Sequence, residues 1–599
     1  MTGKTFYRRV MEANGQCDAT AARRATAAVL HALRDRLTQP EADQVFAQLP
    51  WELQVVWVTG EEPERRPLRT SRSEFYERVR RDAGLASTQE ARAATLAVFT
   101  ALEAQISRGE ADDVLAQLPR DLKEVWAEAG RHAGPLCGAF VSGPVVARDA
   151  ALFTDLYELT MAASYSRERM RGEATFSLFV RRLPRQRAFL VAAGLDDVLA
   201  FLESFEFSEG AIRYLRSCGS FDASFLDFLG EVRFTGTVRA VREGTVLFAD
   251  EPLLEVTAPI IEAQLVETAV INFVHLQTVL ASKAVRSVLA ARGRPIVDFG
   301  LRRTHGIDAG MKAARCAFIA GAAMTSNVLA ALHYGVPPTG TMAHSYVTAF
   351  PREIDAFRAF ARAFPRNTTL LIDTYDTVAA AHKAVIVARE MEARGQRLAG
   401  VRLDSGDLVS LSTAVRQVLD EAGLRYVRIF ASGGLDEEEV ARCIEAGAPI
   451  DAFGVGTRMN VSADAPYLDI AYKLVRYDGR NVLKLSPGKA TWPGEKQVYR
   501  LRRPDGQFER DVLAVRDEPP PRGAVEPLLQ RVMAGGRIVE PQPTLTAIRE
   551  HCARQVAALP EANRRLAGPR YSVEPSEELL ALRRALEAEL EASEVGRQA

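Results

Sequence analysis

Hydrophobic positions along this chain change character twice. Over the first 130 or so residues they recur at helical spacing: Val29, Leu30, Leu33 and Leu37 mark one apolar stripe, and Val98, Phe99, Leu102 and Ile106 mark its counterpart. Such spacing predicts amphipathic helices. The two stripes belong to an ungapped internal repeat. Phe6, Tyr7 and Val10 return as Phe75, Tyr76 and Val79, the stretch 47–50 returns as 116–119, and Trp57 returns as Trp126, always 69 residues on. Self-similarity at a fixed period marks a repeated supersecondary unit. We expect two all-α copies of about four helices each, 1–63 and 70–132, with Leu-Pro at 49–50 and 118–119 separating helices. Their acidic residues read as helix surface, and a Gly- and Pro-bearing linker follows over 133–149.

From residue 150 helix and strand signals mix. Thr154 and Asp155 stand as N-cap candidates before a helix, and 176–180 alternates as a strand does. Short β runs over 231–258 are punctuated by Gly236, Gly244 and Pro252, which predicts a small antiparallel domain within 150–290, followed by helix over 260–292. Beyond 290 the chain alternates regularly. Apolar runs at 296–299, 370–374, 400–403, 427–431 and 452–455 are separated by helical stretches such as 376–394, 407–422 and 436–446. That order implies parallel strands with crossover helices, an α/β domain over 291–470 built as an irregular or partial barrel. Strands near 472–515 are expected to rejoin the small β domain, and charged helices around 543–558 and 576–592 close the segment 471–599.

Composition narrows the class. Among 599 residues, 76 are basic and 77 acidic, so neither a nucleic acid nor a membrane surface held by bulk positive charge is expected as partner. Six scattered cysteines form no CxxC pair and no disulfide framework, which suits a reducing compartment. No basic-then-apolar leader opens the chain and no apolar run spans a bilayer, so a soluble, cytoplasmic protein is expected.

The chemistry sits where the apolar runs end. Asp298, Phe299 and Gly300 are followed at once by Arg302 and Arg303, then His305; later come Thr325, Ser326 and Asn327, and then Thr341 and His344. A ring, cations, a hydroxyl and a histidine suit a flat anionic molecule and a phosphate. Two Gly-rich turns, Ala431-Ser432-Gly433-Gly434-Leu435 and Gly454-Val455-Gly456-Thr457, follow consecutive strands; they either cradle a phosphate or serve only tight turns. Arg402, Asp404 and Asp407 end another strand, where Asp407 either serves a site or caps the next helix, and Asp373 ends the strand before it. His344 by spacing alone is equally a buried, satisfied histidine. No histidines share metal-ligand spacing, so metal ligands remain unassigned.

Nine stretches in order then carry a resemblance: 153–161 (FTDLYELTM), 282–303 (SKAVRSVLAARGRPIVDFGLRR), 325–330 (TSNVLA), 340–347 (GTMAHSYV), 370–377 (LLIDTYDT), 400–408 (GVRLDSGDL), 431–437 (ASGGLDE), 453–457 (FGVGT) and 486–500 (SPGKATWPGEKQVYR). From about 150 to 500 the chain resembles a nicotinate phosphoribosyltransferase, with the type II phosphoribosyltransferase barrel that this implies. The first 130 residues resemble small, tandemly repeated helical bacterial domains with no agreed function, and their partner stays unknown.

The resemblance implies the joining of nicotinate to phosphoribosyl pyrophosphate, giving nicotinate mononucleotide and pyrophosphate for NAD salvage. It further implies coupling to ATP hydrolysis, Mg2+ on the pyrophosphate, and a homodimer with shared active sites. Carried over by residue, His344 is the histidine phosphorylated by ATP. Tyr157, from the neighbouring subunit, and Phe299 sandwich the pyridine ring. Thr341 and Arg402 meet nicotinate, Arg302 is a nearby cation, and Asp404 serves ribose and pyrophosphate. Ser432, Gly433, Gly434, Gly456 and Thr457 cradle the 5′-phosphate. Ser326 stands where nicotinamide-using relatives place an aspartate, which favours the carboxylate base; alternatively it only caps the helix from about 327. His305 departs from the family's usual Ala-Gln and receives no role. Two other classes stay open at this point: an inactive member whose repeats bind a partner, and a related barrel enzyme such as the quinolinate-using one, which would need a denser cationic pocket.

Overall fold

The computed structural model describes residues 6–7, 10–11, 19–59, 67–68, 71–103, 105–106, 108–133, 149–485 and 491–595. The chain separates into two compact units, Met1–Cys137 and Gly138–Ala599. Nearly all of the linker expected at 133–149, and residues 486–490 of the last matched stretch, lie outside the described residues.

The first unit is all helix. Helices Ala19–Arg34, Gln39–Gln48 and Trp51–Val58 of the first copy are answered by Arg72–Ala83, Thr88–Glu103, Arg108–Gln117 and Arg120–Ala133 of the second, and residues 6–7 and 10–11 are helical too. Equivalent positions are buried alike: Phe6 with Phe75, Val29 with Val98, Leu33 with Leu102, and Trp57 with Trp126. The two copies do not close separate cores. Their apolar stripes merge into one cluster, crossed at its rim by an Asp35–Arg78 ion pair of 2.5 Å and a bond from Gln105 Nε2 to the Gln48 carbonyl of 2.7 Å.

The second unit holds the parallel sheet. Its strands are β1 (Ile296–Asp298), β2 (Met324–Thr325), β3 (Thr369–Leu371), β4 (Gly400–Leu403), β5 (Arg428–Ala431) and β6 (Ala452–Val455). They lie in the order β2-β1-β6-β5-β4-β3, all parallel, as a half-barrel. Helices Ile307–Ile319, Val328–Tyr334, Thr377–Glu392, Leu408–Glu421 and Glu437–Glu445 make the crossovers. The strands read as continuous apolar runs because both faces are covered: Leu370, Leu371, Val401, Leu403, Ile429, Phe453 and Val455 are fully buried. Only β2 was absent from the sequence reading; two residues cannot show a period.

Against this half-barrel stands a seven-stranded antiparallel sheet, in which Glu173–Val180 pairs with Pro252–Pro259 on one side and Ile470–Tyr477 on the other. The late strands divide. Ile470–Tyr477 and Gln530–Ala534 rejoin that sheet, whereas Lys496–Arg502 and Phe508–Val515 pair with each other in a sheet of their own. The reason lies inside that hairpin, where Arg500 and Asp511, both wholly buried, face each other at 2.5 Å and hold the two strands together. Helix Glu267–Ala290 packs against both the half-barrel helices and the antiparallel part. No helix of the described residues is long and apolar enough to cross a membrane.

Candidate functional site

Because all six central strands run the same way, their C-terminal ends share one edge, and the polar residues of the motifs line up along it. Asp298 ends β1, and the ring of Phe299 follows half-buried. That ring is fixed from three sides. Phe430 on β5 meets it edge to face at 5.5 Å, and the Arg402 guanidinium lies 5.6 Å from its centroid. Beneath, Gly454 leaves room that a side chain would take: a Cβ there would fall 2.7 Å from Phe299 Cδ2.

Asp298 is the anchor of this wall. Its buried carboxyl accepts from Gly300 N–H at 3.0 Å, Asn460 Nδ2 at 2.9 Å and Thr325 Oγ1 at 2.7 Å. Burial raises its pKa, and these three bonds offset only part of the rise. The Ser326 amide donates to the Asp298 carbonyl at 2.9 Å, which sets the hydroxyl-bearing residue beside the ring. The helix that follows is capped by Asn327, whose Oδ1 accepts from Ala330 N–H at 3.0 Å; Ser326 is therefore not its cap.

Arg402, at the end of β4, ties the edge together. Its Nε donates to Ser432 Oγ at 2.8 Å, Nη1 to Thr341 Oγ1 at 2.8 Å and to the Met342 carbonyl at 3.0 Å, and Nη2 to Asp404 Oδ1 at 2.8 Å. Four of its five N–H groups are thus engaged and one remains. Ser432 also donates to Asp404. Burial opposes the charge on Asp404, but the bonds from Arg402 and Ser432 outweigh it and hold the carboxyl below its ordinary range.

His344 opens a short helix and is 43% exposed at its side chain, so it is not a satisfied core histidine. Its Nδ1 lies 3.2 Å from Thr374 Oγ1, and its Nε2 lies 3.9 Å from Asp404 Oδ2 and 4.0 Å from Asp373 Oδ1. Asp373 accepts at Oδ2 from Asp404 N–H (3.1 Å) and Ser405 Oγ (2.5 Å), while its Oδ1 is buried without a hydrogen-bond partner. Asp407 stands apart and caps helix 408–421 through Ser410 N–H at 3.3 Å.

The Gly turns sit on β5 and β6. Gly433 has φ +93°, and a Cβ there would overlap the Asp404 carbonyl at 1.7 Å; Gly434, at φ +66°, faces open space. Gly456 and Thr457 are half-buried and begin the short helix Thr457–Asn460. Two predicted residues do not join this constellation by any contact within the chain. Arg302 is exposed on the turn Leu301–Arg303. Tyr157, 47% exposed on helix Leu156–Arg167, faces Glu267; burial, Glu267 and Glu158 raise its phenol pKa. Among the described residues no group of three or more His, Cys, Asp or Glu side chains is placed to hold a metal ion alone.

Sequence reasoning missed Phe430, Gly454, Asn460 and Thr374. Phe430 and Asn460 read as ordinary residues; Thr374 and Gly454 lie in quoted stretches, but Gly454, which reads as part of a phosphate turn, is found inside β6 under the Phe299 ring. A separate cavity of about 380 Å3, lined by Arg181, Arg182, Arg185, Asp250, Trp492 and Arg570 among others, shares no residue with this edge.

Comparison with known proteins shows the family. Residues 152–275, 295–502 and 522–583 match the N-terminal domain, family and C-terminal domain descriptions of nicotinate phosphoribosyltransferase (NAPRTase), and residues 3–125 match an uncharacterized conserved protein family, DUF2267. A nicotinate phosphoribosyltransferase of Mycobacterium tuberculosis is 53% identical over 423 residues, covering 70% of this chain and 90% of that protein. The crystal structure of human nicotinic acid phosphoribosyltransferase superposes with a TM-score of 0.65 at 32% identity, covering 72% of this chain and 99% of the other. A nicotinate-nucleotide pyrophosphorylase from Pyrococcus furiosus follows with a TM-score of 0.58 at 26% identity, covering 70% and 98%.

Proposed function

The chain belongs to the nicotinate phosphoribosyltransferase family, and from that premise we propose how its strand-end residues join nicotinate to phosphoribosyl pyrophosphate in NAD salvage. The observation that carries the reading is the hub at Arg402, which links the ring wall, Thr341, Asp404 and the Ser432 turn in one hydrogen-bonded set. The pyridine ring stacks on Phe299, and its carboxylate takes the remaining Arg402 N–H and the hydroxyls of Thr341 and Ser326. Arg302, exposed on its turn, adds a cation at the mouth. The 5′-phosphate rests on the backbone N–H groups of Gly433 and Gly434 and on Gly456 and Thr457.

In the transfer step the pyridine nitrogen forms its bond to the anomeric carbon as the bond to pyrophosphate breaks, and pyrophosphate leaves with the electron pair. Positive charge grows on the ribose, and the ionised Asp404 faces it. Mg2+ fits the oxygen donors present. Asp373 and Asp404 are hard carboxylate ligands, Asp373 Oδ1 lacks any other partner, and pyrophosphate and water oxygens would complete the shell. When bound, the ion neutralises the leaving pyrophosphate.

ATP coupling is part of the same proposal. His344 takes the γ-phosphoryl of ATP on a ring nitrogen, ADP leaves, and water later releases phosphate. The carboxylates of Asp373 and Asp404 and the hydroxyl of Thr374 hold the ring for that transfer. A homodimer with shared sites, in the cytoplasm, completes the reading: Tyr157, 47% exposed, would exchange Glu267 for a neighbour's ring wall, and Ile307, Val328 and Leu332 leave exposed apolar surface on helices 307–319 and 328–334. Purified protein supplied with radiolabelled nicotinate and phosphoribosyl pyrophosphate should yield labelled mononucleotide, faster with ATP. Product from quinolinate but not from nicotinate would overturn the substrate, and product formation indifferent to ATP would overturn the coupling.

A further inference from the structure

A buried charge network joins both Gly turns to one helix. Lys283 and Arg286 lie on helix 267–290 with side chains 3% and 7% exposed. Lys283 Nζ donates to Glu437 Oε1 at 2.8 Å and pairs with Asp464 Oδ1 at 2.9 Å; Arg286 Nε donates to the same Glu437 oxygen at 2.8 Å. Glu437 is the first residue of the helix that leaves the Gly433-Gly434 turn. Asp464 lies just past the helix Thr457–Asn460 that leaves Gly456. Arg187 secures that second end, with Nε to Asp464 Oδ2 at 3.1 Å, Nη2 to Ser462 Oγ, and Nη1 to the Val279 carbonyl at 3.1 Å. On the outer side Arg458 closes the loop directly onto Asp436 at 2.5 Å.

We propose that Lys283 is a positioning residue for the reaction: one buried ammonium that sets the spacing of the two phosphate-binding turns and so tunes affinity for phosphoribosyl pyrophosphate. The argument is geometric. Two Gly turns on neighbouring strands must present N–H groups to the same phosphate, and the exposed Arg458–Asp436 pair ties them at their outer side. Lys283 is the group that touches a carboxylate from both, 2.8 Å from one and 2.9 Å from the other. Breaking such a pair from one side leaves the partner charge buried and uncompensated, so the turns must shift or admit water. Positioning of this kind acts on substrate binding more than on the bond-breaking step.

This inference rests on the phosphate-cradle reading, and the experiment separates the two. Lys283→Met should raise KM for phosphoribosyl pyrophosphate by at least 10-fold, weaken competitive inhibition by ribose 5-phosphate in parallel, and leave kcat within about threefold. Lys283→Arg should recover most of the affinity. Asp464→Asn, which keeps shape and removes one charge, should shift the same KM if Lys283→Met does not fold. Arg315→Met breaks another buried cluster, with Glu243 and Asp196, and should lower Tm without moving that KM. Thr457→Val tests the cradle itself. If Thr457→Val raises KM while Lys283→Met and Asp464→Asn lower only Tm, the positioning role is wrong and the cradle stands. If Thr457→Val leaves KM and ribose 5-phosphate inhibition unchanged, the cradle reading falls.

Discussion

Replacing Gly454 by alanine tests the base platform with a single methyl group. Gly454 sits inside β6, and its added Cβ would stand 2.7 Å from Phe299 Cδ2 and 2.9 Å from Phe430 Cζ. Carbon atoms rest at about 3.5–4.0 Å, so one or both rings must retreat by roughly 1 Å. Overpacking of this size costs about 1–3 kcal/mol. Phe299 and Phe430 are both half-buried and touch each other at 5.5 Å, so a shift of either ring disturbs the face that Phe299 offers the base. A reactant platform displaced by about 1 Å costs on the order of 100-fold in rate. Steady-state assays should therefore show kcat/KM for nicotinate reduced by about 10–100-fold, with a fall in Tm of a few degrees. Gly400→Ala is the matched control. Its Cβ would meet the Arg428 carbonyl at 2.9 Å, but Gly400 opens β4 at the opposite edge of the sheet. That variant should lose stability and keep wild-type nicotinate kinetics. Should Gly454→Ala behave the same way, Phe299 is not the surface on which the base lies.

Three further outcomes follow from the same geometry. His344→Ala should abolish nicotinate-dependent ATP hydrolysis yet leave measurable ATP-independent synthesis at saturating phosphoribosyl pyrophosphate, because neither the ring wall nor the Gly turns uses the imidazole; an acid-labile phosphoprotein persisting in the variant would reject the assignment. Ser326→Asp should lower nicotinate kcat/KM by at least ~10-fold, the scale of one hydrogen bond to a charged group, and wild-type turnover in that variant would move base specificity elsewhere. A protein beginning near Ser142 should fold and keep roughly full turnover, since every residue named on the strand-end edge belongs to the unit Gly138–Ala599; most of the activity disappearing on truncation would show that the repeats complete the site or the dimer.

What the sequence disclosed and what it withheld divide along physical lines. Strand ends were legible because an apolar run that stops abruptly at Asp298, Asp373, Arg402 or Ser432 breaks its own pattern. The Gly433-Gly434 turn was legible because only glycine tolerates φ +93° against a carbonyl, as Gly433 does. Partnership was not legible. Arg402 spends its N–H groups on Thr341 and Met342, some 60 residues away in the chain, and no local pattern records that. Ser326 and Asn327 are adjacent and both cap helices well, so only coordinates separate the cap from its neighbour. The pairing of strands 496–502 and 508–515 was hidden because its buried Arg500 and Asp511 look, in sequence, like solvent-facing residues. Phe430 was hidden for the converse reason, an aromatic that looks like core and lies against the working ring.

The single core shared by the two N-terminal copies has a consequence for what half of that unit would do alone. One copy would expose the apolar stripe that its twin now covers, together with the face that carries Asp35 or Arg78. A sequence repeated after 69 residues offers the same surface twice, so an isolated copy meets its best available cover in another isolated copy. Tandem duplication thus turned an encounter between molecules into an encounter within one chain, at an effective concentration set by the short stretch joining the copies. The helical unit is, in this sense, a dimer that has lost the freedom to dissociate.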